Sequence, residues 1–267
     1  MIPDYHIHTS LCGHARGEME QYVEEARKKG LKEMGFSDHV PMCWLTDECR
    51  YPGLAMDETE LPGYVSRVLS LREKTPELSI RLGLEVDYIP GWEKGAGNII
   101  SQYPFDYIIG SVHFIDGWAF DHPSYIDGYG GRDIGEIYRN YFDLICRAAG
   151  SGVFDIMAHP DLVKKFGYRP DKASTDLYRQ AARSFAAAGV CVEVNTAGLR
   201  VPAGEIYPSL EFLRLCRLEG VPASTGSDAH APELVGANFS EAVELLKEAG
   251  YDEVAMFSGR RRKMMKI

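Results

Sequence analysis

A unit recurs along this chain: a helix-forming stretch, one glycine, then a short apolar strand. The glycines are Gly30, Gly150, Gly189, Gly220 and Gly250, and the strand candidates after them begin at residues 33, 154, 190, 222 and 254. Glycine ends helices because it accepts the left-handed conformation there. Strands separated by helices of this length pair in parallel. The full set of strand candidates is 4–8, 33–37, 80–87, 107–113, 154–159, 190–195, 222–227 and 254–257. Helical candidates cover 21–29, 61–74, 134–149, 175–188, 207–219 and 239–249. A length of 267 residues suits an α/β barrel, for which about 250 residues is typical. No linker or repeat divides the chain, so one domain over residues 1–267 is expected.

Polar residues with metal-binding side chains fall where these strands end. Seven of the eight histidines, His6, His8, His14, His39, His113, His159 and His230, lie at or just past a strand C-terminus, as do Glu85 and Asp228. The strand ends of a parallel barrel converge on one face, where active sites are built. Imidazole and carboxylate together suit borderline and hard divalent ions. Nine candidates exceed the needs of one ion and predict a cluster of two or three, a device used on phosphate esters. His6 and His8 share one strand face, being two residues apart. Glu85 lies in an apolar strand, where an unpaired carboxylate is expensive; Asp87 shares its face and is the alternative ligand. Asp228 and His230 form a second i, i+2 pair behind Gly226, which permits a tight turn. Cys43 and Cys49 follow His39 in a loop and are further, weaker ligand candidates. His122 lies outside the set, in the long 115–133 insertion, and is read as surface or substrate-facing. The other insertion, 40–61, follows His39, and both are loops of the kind that hold function.

The net charge of −10 argues against a nucleic-acid partner, which wants a basic footprint. It permits a small anionic substrate, since metal ions invert the local field. No apolar run reaches the roughly 18 residues of a membrane span. With no secretory signal and no C-x-x-C among six cysteines, reduced thiols and a cytoplasmic location are expected. The basic run 260–263 reads as a solvated terminus, and a monomer or small homo-oligomer is expected.

These residues also carry a resemblance. HIHTSLCGHARG from residue 6, SDH at 37–39, GLEVDY around Glu85, IGSVHF around His113, AHPDLVKKFG around His159, VNTAGLR at 194–200 and GSDAH at 226–230 resemble the polymerase and histidinol phosphatase (PHP) family. Within it they are most similar to the stand-alone histidinol-phosphate phosphatases. The resemblance implies a distorted TIM-like (β/α)7 barrel with three divalent metal ions (Zn, Mn or Fe). It implies one ion held by His6, His8, Glu85 and Asp228. A second would take Glu85 as a bridge with His113 and His159, and a third His14, His39 and His230. The reaction implied is hydrolysis of L-histidinol phosphate to L-histidinol and phosphate in histidine biosynthesis. The alternative is a family phosphoesterase acting on nucleotides or oligonucleotides. Seven family strands against eight candidates leaves 254–257, which bears no ligand, as a covering strand or none.

The chemistry expected of such a centre is attack by a metal-bridging hydroxide held at the Glu85 and Asp228 site. Three ions, two carboxylates and the hydroxide leave about +3, which suits a phosphate dianion. Guanidinium and ammonium clamps complete such sites. Arg200 is the first choice for the phosphate, then Lys164 and Lys165, with Arg169 behind them. Asp161, Asp38 or metal-bound water remain open as the acid that protonates the leaving oxygen. Asp116, Asp121 and Asp47 remain open for the substrate amine.

Overall fold

The computed structural model describes residues 1–45, 51, 53–170 and 174–267. Six parallel strands lie side by side in chain order: Glu33–Phe36, Ser79–Asp87, Tyr107–Ser111, Ile156–Met157, Cys191–Asn195 and Ala223–Gly226. Residues 4–8 close the ring between the first and last of these. On one side Gly35 and Ser37 donate backbone hydrogen bonds to Asp4 and Ile7; on the other Tyr5 donates to Thr225 and Ala229 to His6. This seventh strand is bridged at Asp4–Met34 and Ile7–Ala229 rather than continuously paired. The cause is a bulge in its neighbour at Ser227 and Asp228, the latter at φ +53°. The buried Asp4 carboxylate satisfies the bulge by accepting the Ser227 N–H (2.8 Å), the Ser227 hydroxyl (2.6 Å) and the Gly236 N–H (2.8 Å). The result is a distorted TIM-like barrel.

Five helices sit close to their expected bounds: Met19–Lys28, Leu61–Lys74, Ile134–Gly150, Thr175–Ala188 and Phe239–Glu248. A sixth starts later than expected, at Leu210–Leu218, after Ser209 caps it by accepting the Phe212 N–H. One was not expected, Glu93–Ile100, whose Gly95 and Gly97 weaken the helical signal by about 1 kcal/mol each. No helix among the described residues is long and apolar enough to cross a membrane.

The two chain ends correct expectations. The strand expected at 254–257 forms as Glu253–Ser258, antiparallel to Arg261–Lys266 and outside the ring. The run 260–263 is therefore no free terminus. Arg260 pairs with Asp155 and donates to the Val153 carbonyl, both at the N-terminal side of the Ile156–Met157 strand. Phe257 and Ala255 pack with Tyr5, Tyr107, Ile109 and Ile156. This hairpin plugs the N-terminal mouth and leaves the C-terminal mouth open.

Alternation along each strand decides what fills the barrel. Ile80, Leu82, Leu84 and Val86 belong to the main apolar core together with the helices, while Gly83, Glu85 and Asp87 take the opposite face. Tyr107 fills the lower interior, its hydroxyl donating to the Tyr5 carbonyl at 2.7 Å. Its ring fits because Gly35 and Gly83 face it; a Cβ would stand 2.2 and 2.3 Å from the Tyr107 side chain. Overpacking of this kind costs about 1–3 kcal/mol. Gly83→Ala is thus expected to lower the unfolding free energy by that amount, read as a lower urea midpoint with an unchanged m-value. An unchanged midpoint would show that Tyr107 moves freely.

Candidate metal centre

The open mouth holds all nine expected ligands together. Glu85 is their centre. It is 1% exposed, and its two oxygens face different groups. Oε2 lies 3.0 Å from His39 Nδ1, 3.2 Å from His6 Nε2 and 3.5 Å from His8 Nε2. Oε1 lies 3.2 Å from His159 Nε2 and 3.6 Å from His113 Nε2. Asp228 Oδ1 stands 3.2 Å from His8 Nε2 and 3.8 Å from His6 Nε2. At the outer rim His14 and His230 bring their Nε2 atoms to 2.9 Å, and the His39 ring centre is 5.6 Å from that of His14.

Around this cluster, the nitrogen facing away from the centre is often given an acceptor. His113 Nδ1 meets Asp87 at 2.8 Å, so Asp87, the alternative candidate, is engaged by the His113 imidazole. His14 Nδ1 meets the Gly53 and Cys12 carbonyls, and His230 Nδ1 the Asp228 carbonyl. An imidazole that donates from one ring nitrogen presents a lone pair at the other. His6 Nε2, both nitrogens of His8, His159 Nδ1 and Glu85 Oε2 are buried without a hydrogen-bond partner. Buried orphan polar atoms are expensive, and of these His6 Nε2 and His8 Nε2 face Glu85 Oε2 at 3.2 and 3.5 Å, an arrangement that fits a divalent cation. Several trios, among them His6, His8 and Glu85, and His8, His39 and His230, keep their donor atoms within 4.8 Å of one another.

Protons cannot neutralise this assembly evenly. Burial opposes the Glu85 charge, yet His39, His6 and His113 pull its carboxyl well below the usual range. Asp228 is likewise buried but drawn well down by His6, His8 and His230. His113 resists burial and is raised to about 10 by Asp87 and Asp121. His230 is lowered to about 3 by burial and the neighbouring His8.

Above the ligands opens a cavity of about 480 Å3. Arg200 and Lys165 stand on its wall. Arg200 is held by donating to the Ser227 carbonyl at 2.5 Å, and Lys165 Nζ lies 3.0 Å from Asp121. Met42, Leu54, Phe114, Ala119 and Pro123 supply an apolar face, and His122 also lines the cavity.

Several expectations fail. Lys164 is fully buried, 2.6 Å from Asp161 and 3.1 Å from Glu205, and does not reach the cavity. It neutralises Asp161, which also accepts the Ser209 N–H, so neither the phosphate-binding role of Lys164 nor the acid role of Asp161 fits its position. The reason is local: Leu162–Lys164 is a 3-10 turn, and residues a third of a turn apart send Lys164 inward and Lys165 to the cavity. Asp38 is buried beside His8 (3.5 Å) and accepts the Thr9 N–H (3.1 Å), which removes it from the acid role too. Arg169 is exposed and paired with Glu205 at 2.6 Å. Asp116 sits at an exposed hairpin tip at φ +50°, away from the cavity. Cys43 is half-buried and outside the cavity lining, and Asp47 and Cys49 lie outside the described residues.

Two buried groups were missed. Glu193 lies 2.7 Å from His6 Nδ1. Its signal was available: an acidic residue inside the apolar run Cys191-Val-Glu193-Val-Asn195, the same oddity that exposed Glu85. Cys12 is buried within 4.8 Å of donor atoms of His14 and His230; burial, then Asp38, pushes its thiol up to about 12.

Known proteins share the sequence pattern and the fold of this chain. The PHP domain matches residues 4–197. A probable histidinol-phosphatase of Deinococcus radiodurans is 38% identical over 263 residues, covering 98% of this chain and 97% of that protein. The histidinol-phosphatase of Bacillus subtilis is 31% identical over 262 residues, covering 90% of this chain and 98% of its own. Among solved structures, the histidinol phosphate phosphatase of Lactococcus lactis, complexed with Zn, L-histidinol and phosphate, superposes with a TM-score of 0.85 at 22% identity, covering 98% of each chain. The barrel, the ligand ring and these matches have one conclusion in common: the chain belongs to the PHP domain family.

Proposed function

We propose that this chain is a metal-dependent phosphomonoesterase that hydrolyses L-histidinol phosphate to L-histidinol and phosphate, as a step of histidine biosynthesis, with residues 1–267 acting as one catalytic domain. The observation that carries the reading is the complete ligand ring beneath a cavity with cationic walls, in a chain similar over nearly its whole length to histidinol-phosphatases. His6, His8, Glu85 and Asp228 would hold one divalent ion; Glu85, His113 and His159 a second; His14, His39 and His230 a third. Zn, Mn and Fe all suit this donor set. When bound, such ions supply Lewis-acid charge to phosphoryl oxygens and lower the pKa of water to about 7.

The chain's own groups bind and orient the ester. Arg200 and Lys165 take the phosphate oxygens from the wall of the cavity, and the Arg200 guanidinium is pre-positioned by the Ser227 carbonyl. Asp121 receives the substrate ammonium. Of the carboxylates lining the cavity, Glu85 and Asp228 face ligand imidazoles and Asp87 is bound by His113, while Asp121 is paired only with Lys165 among the described residues. The Lys165–Asp121 pair thus offers a cation for the phosphate beside an anion for the amine. Met42, Leu54, Phe114 and Ala119 give the substrate ring an apolar surface.

Phosphate release by zinc- or manganese-loaded protein tests the substrate. A kcat/KM at least ~100-fold higher for histidinol phosphate than for nucleotide monophosphates or p-nitrophenyl phosphate is expected, about 2.7 kcal/mol of discrimination. Equal or better turnover of nucleotides would contradict it. Arg200→Met should raise KM about 10–100-fold with unchanged metal content, since it loses a charge-assisted phosphate contact; wild-type kinetics would remove Arg200 from the site. Asp121→Asn should lower kcat/KM for histidinol phosphate about 10-fold while sparing p-nitrophenyl phosphate, which has no ammonium. Equal losses on both substrates would assign Asp121 to the phosphate end instead.

A further inference from the structure

Glu193 is 1% exposed, lines no part of the cavity, and belongs to none of the expected ligand sets. Its carboxylate nevertheless joins two of the ligand-bearing segments. Oε1 is 2.7 Å from His6 Nδ1. Oε2 accepts the backbone N–H of His159 at 2.8 Å and the side-chain amide of Asn195 at 3.0 Å. His159 stands at φ +24°, a conformation that a side-chain-bearing residue keeps only when its surroundings hold it. The next strand makes room: a Cβ on Gly226 would lie 2.3 Å from Glu193 Oε1 and 2.5 Å from the His6 Cβ.

We propose that Glu193 is a positioning residue of the metal centre, setting which nitrogen of His6 faces Glu85 and pinning the backbone that aims His159 at the same carboxylate. The inference rests on the reading of the cluster as a metal centre. Because Glu193 accepts from His6 Nδ1, the free lone pair of His6 is on Nε2, the atom 3.2 Å from Glu85 and 3.8 Å from Asp228. Carboxylates behind ligand imidazoles fix orientation and tautomer in this way, and losing one commonly weakens metal binding by about 10–100-fold.

The bonding pattern makes the isosteric change the sharper test. Oε2 already receives two N–H donors, so in Glu193→Gln the amide oxygen must stay there. The amide NH2 then replaces Oε1 and donates to His6 Nδ1. The His6 proton moves to Nε2 and covers the lone pair that faces the centre. Glu193→Ala deletes the support but lets His6 choose its tautomer. Were Glu193 merely filling space, the near-isosteric Gln would be harmless and Ala damaging.

Zinc affinity is to be measured by competition with a chromophoric chelator on wild type, Glu193→Gln and Glu193→Ala, each first shown to unfold cooperatively. Zinc binding about 10–100-fold weaker in Glu193→Gln, and no stronger than in Glu193→Ala, is expected. Gly226→Ala, whose Cβ would crowd both the Glu193 carboxylate and the His6 side chain, should weaken zinc binding in the same direction. Wild-type affinity in Glu193→Gln, or a loss confined to Glu193→Ala, would overturn the proposal. Absence of zinc binding by the wild type would instead overturn the metal-centre reading beneath it.

Discussion

A carboxylate buried in the mouth of a barrel has to be compensated, and the compensation of Glu85 organises this protein. Five imidazoles, from His6, His8, His39, His113 and His159, approach its two oxygens within 3.6 Å. They come from different strands and loops, so the site exists only when the ring is closed. Burial alone would drive the Glu85 carboxyl to protonate; surrounding imidazoles hold it anionic. The same crowding sets the imidazoles against one another, a conflict that divalent charge at the centre would resolve.

The rest of the fold serves this arrangement. Strand alternation sends aliphatic side chains outward to the helices and leaves Gly83, Glu85 and Asp87 facing in. Tyr107 and the Phe257 hairpin seal the lower end, so water and substrate enter from the ligand side. The bulge at Ser227 and Asp228 interrupts regular pairing with residues 4–8, and Asp4 satisfies the backbone it frees. Regular pairing is given up at the point where Asp228 must turn into the cluster, which is where local irregularity is expected at functional sites.

Much of this was legible in the amino-acid order. Glycine-closed helices announced the βα units, and histidines at strand ends located the mouth. What failed were matters of orientation. Lys164 and Lys165 are chemically alike and adjacent, and only the 3-10 turn decides that one is buried against Asp161 while the other reaches the cavity. Asp38 and Asp161 were plausible acids until burial placed them behind the ligands. Glu193 carried a visible signal, a charge inside an apolar strand, but without a histidine nearby in sequence its partner His6 was 187 residues away. The helix Glu93–Ile100 was hidden by its two glycines, and the terminal hairpin by a basic composition that resembles a solvated tail.

The central claim is that Glu85 sits between metal ions rather than between protons. Anomalous diffraction from crystals grown with zinc or manganese tests it directly. The account predicts anomalous density on both sides of Glu85, each peak about 2.0–2.2 Å from one of its oxygens. One peak should be shared with His6, His8 and Asp228, the other with His113 and His159. A further peak is predicted among His14, His39 and His230. Anomalous density absent from the barrel mouth, or confined to the rim with Glu85 bound only by imidazoles, would contradict it.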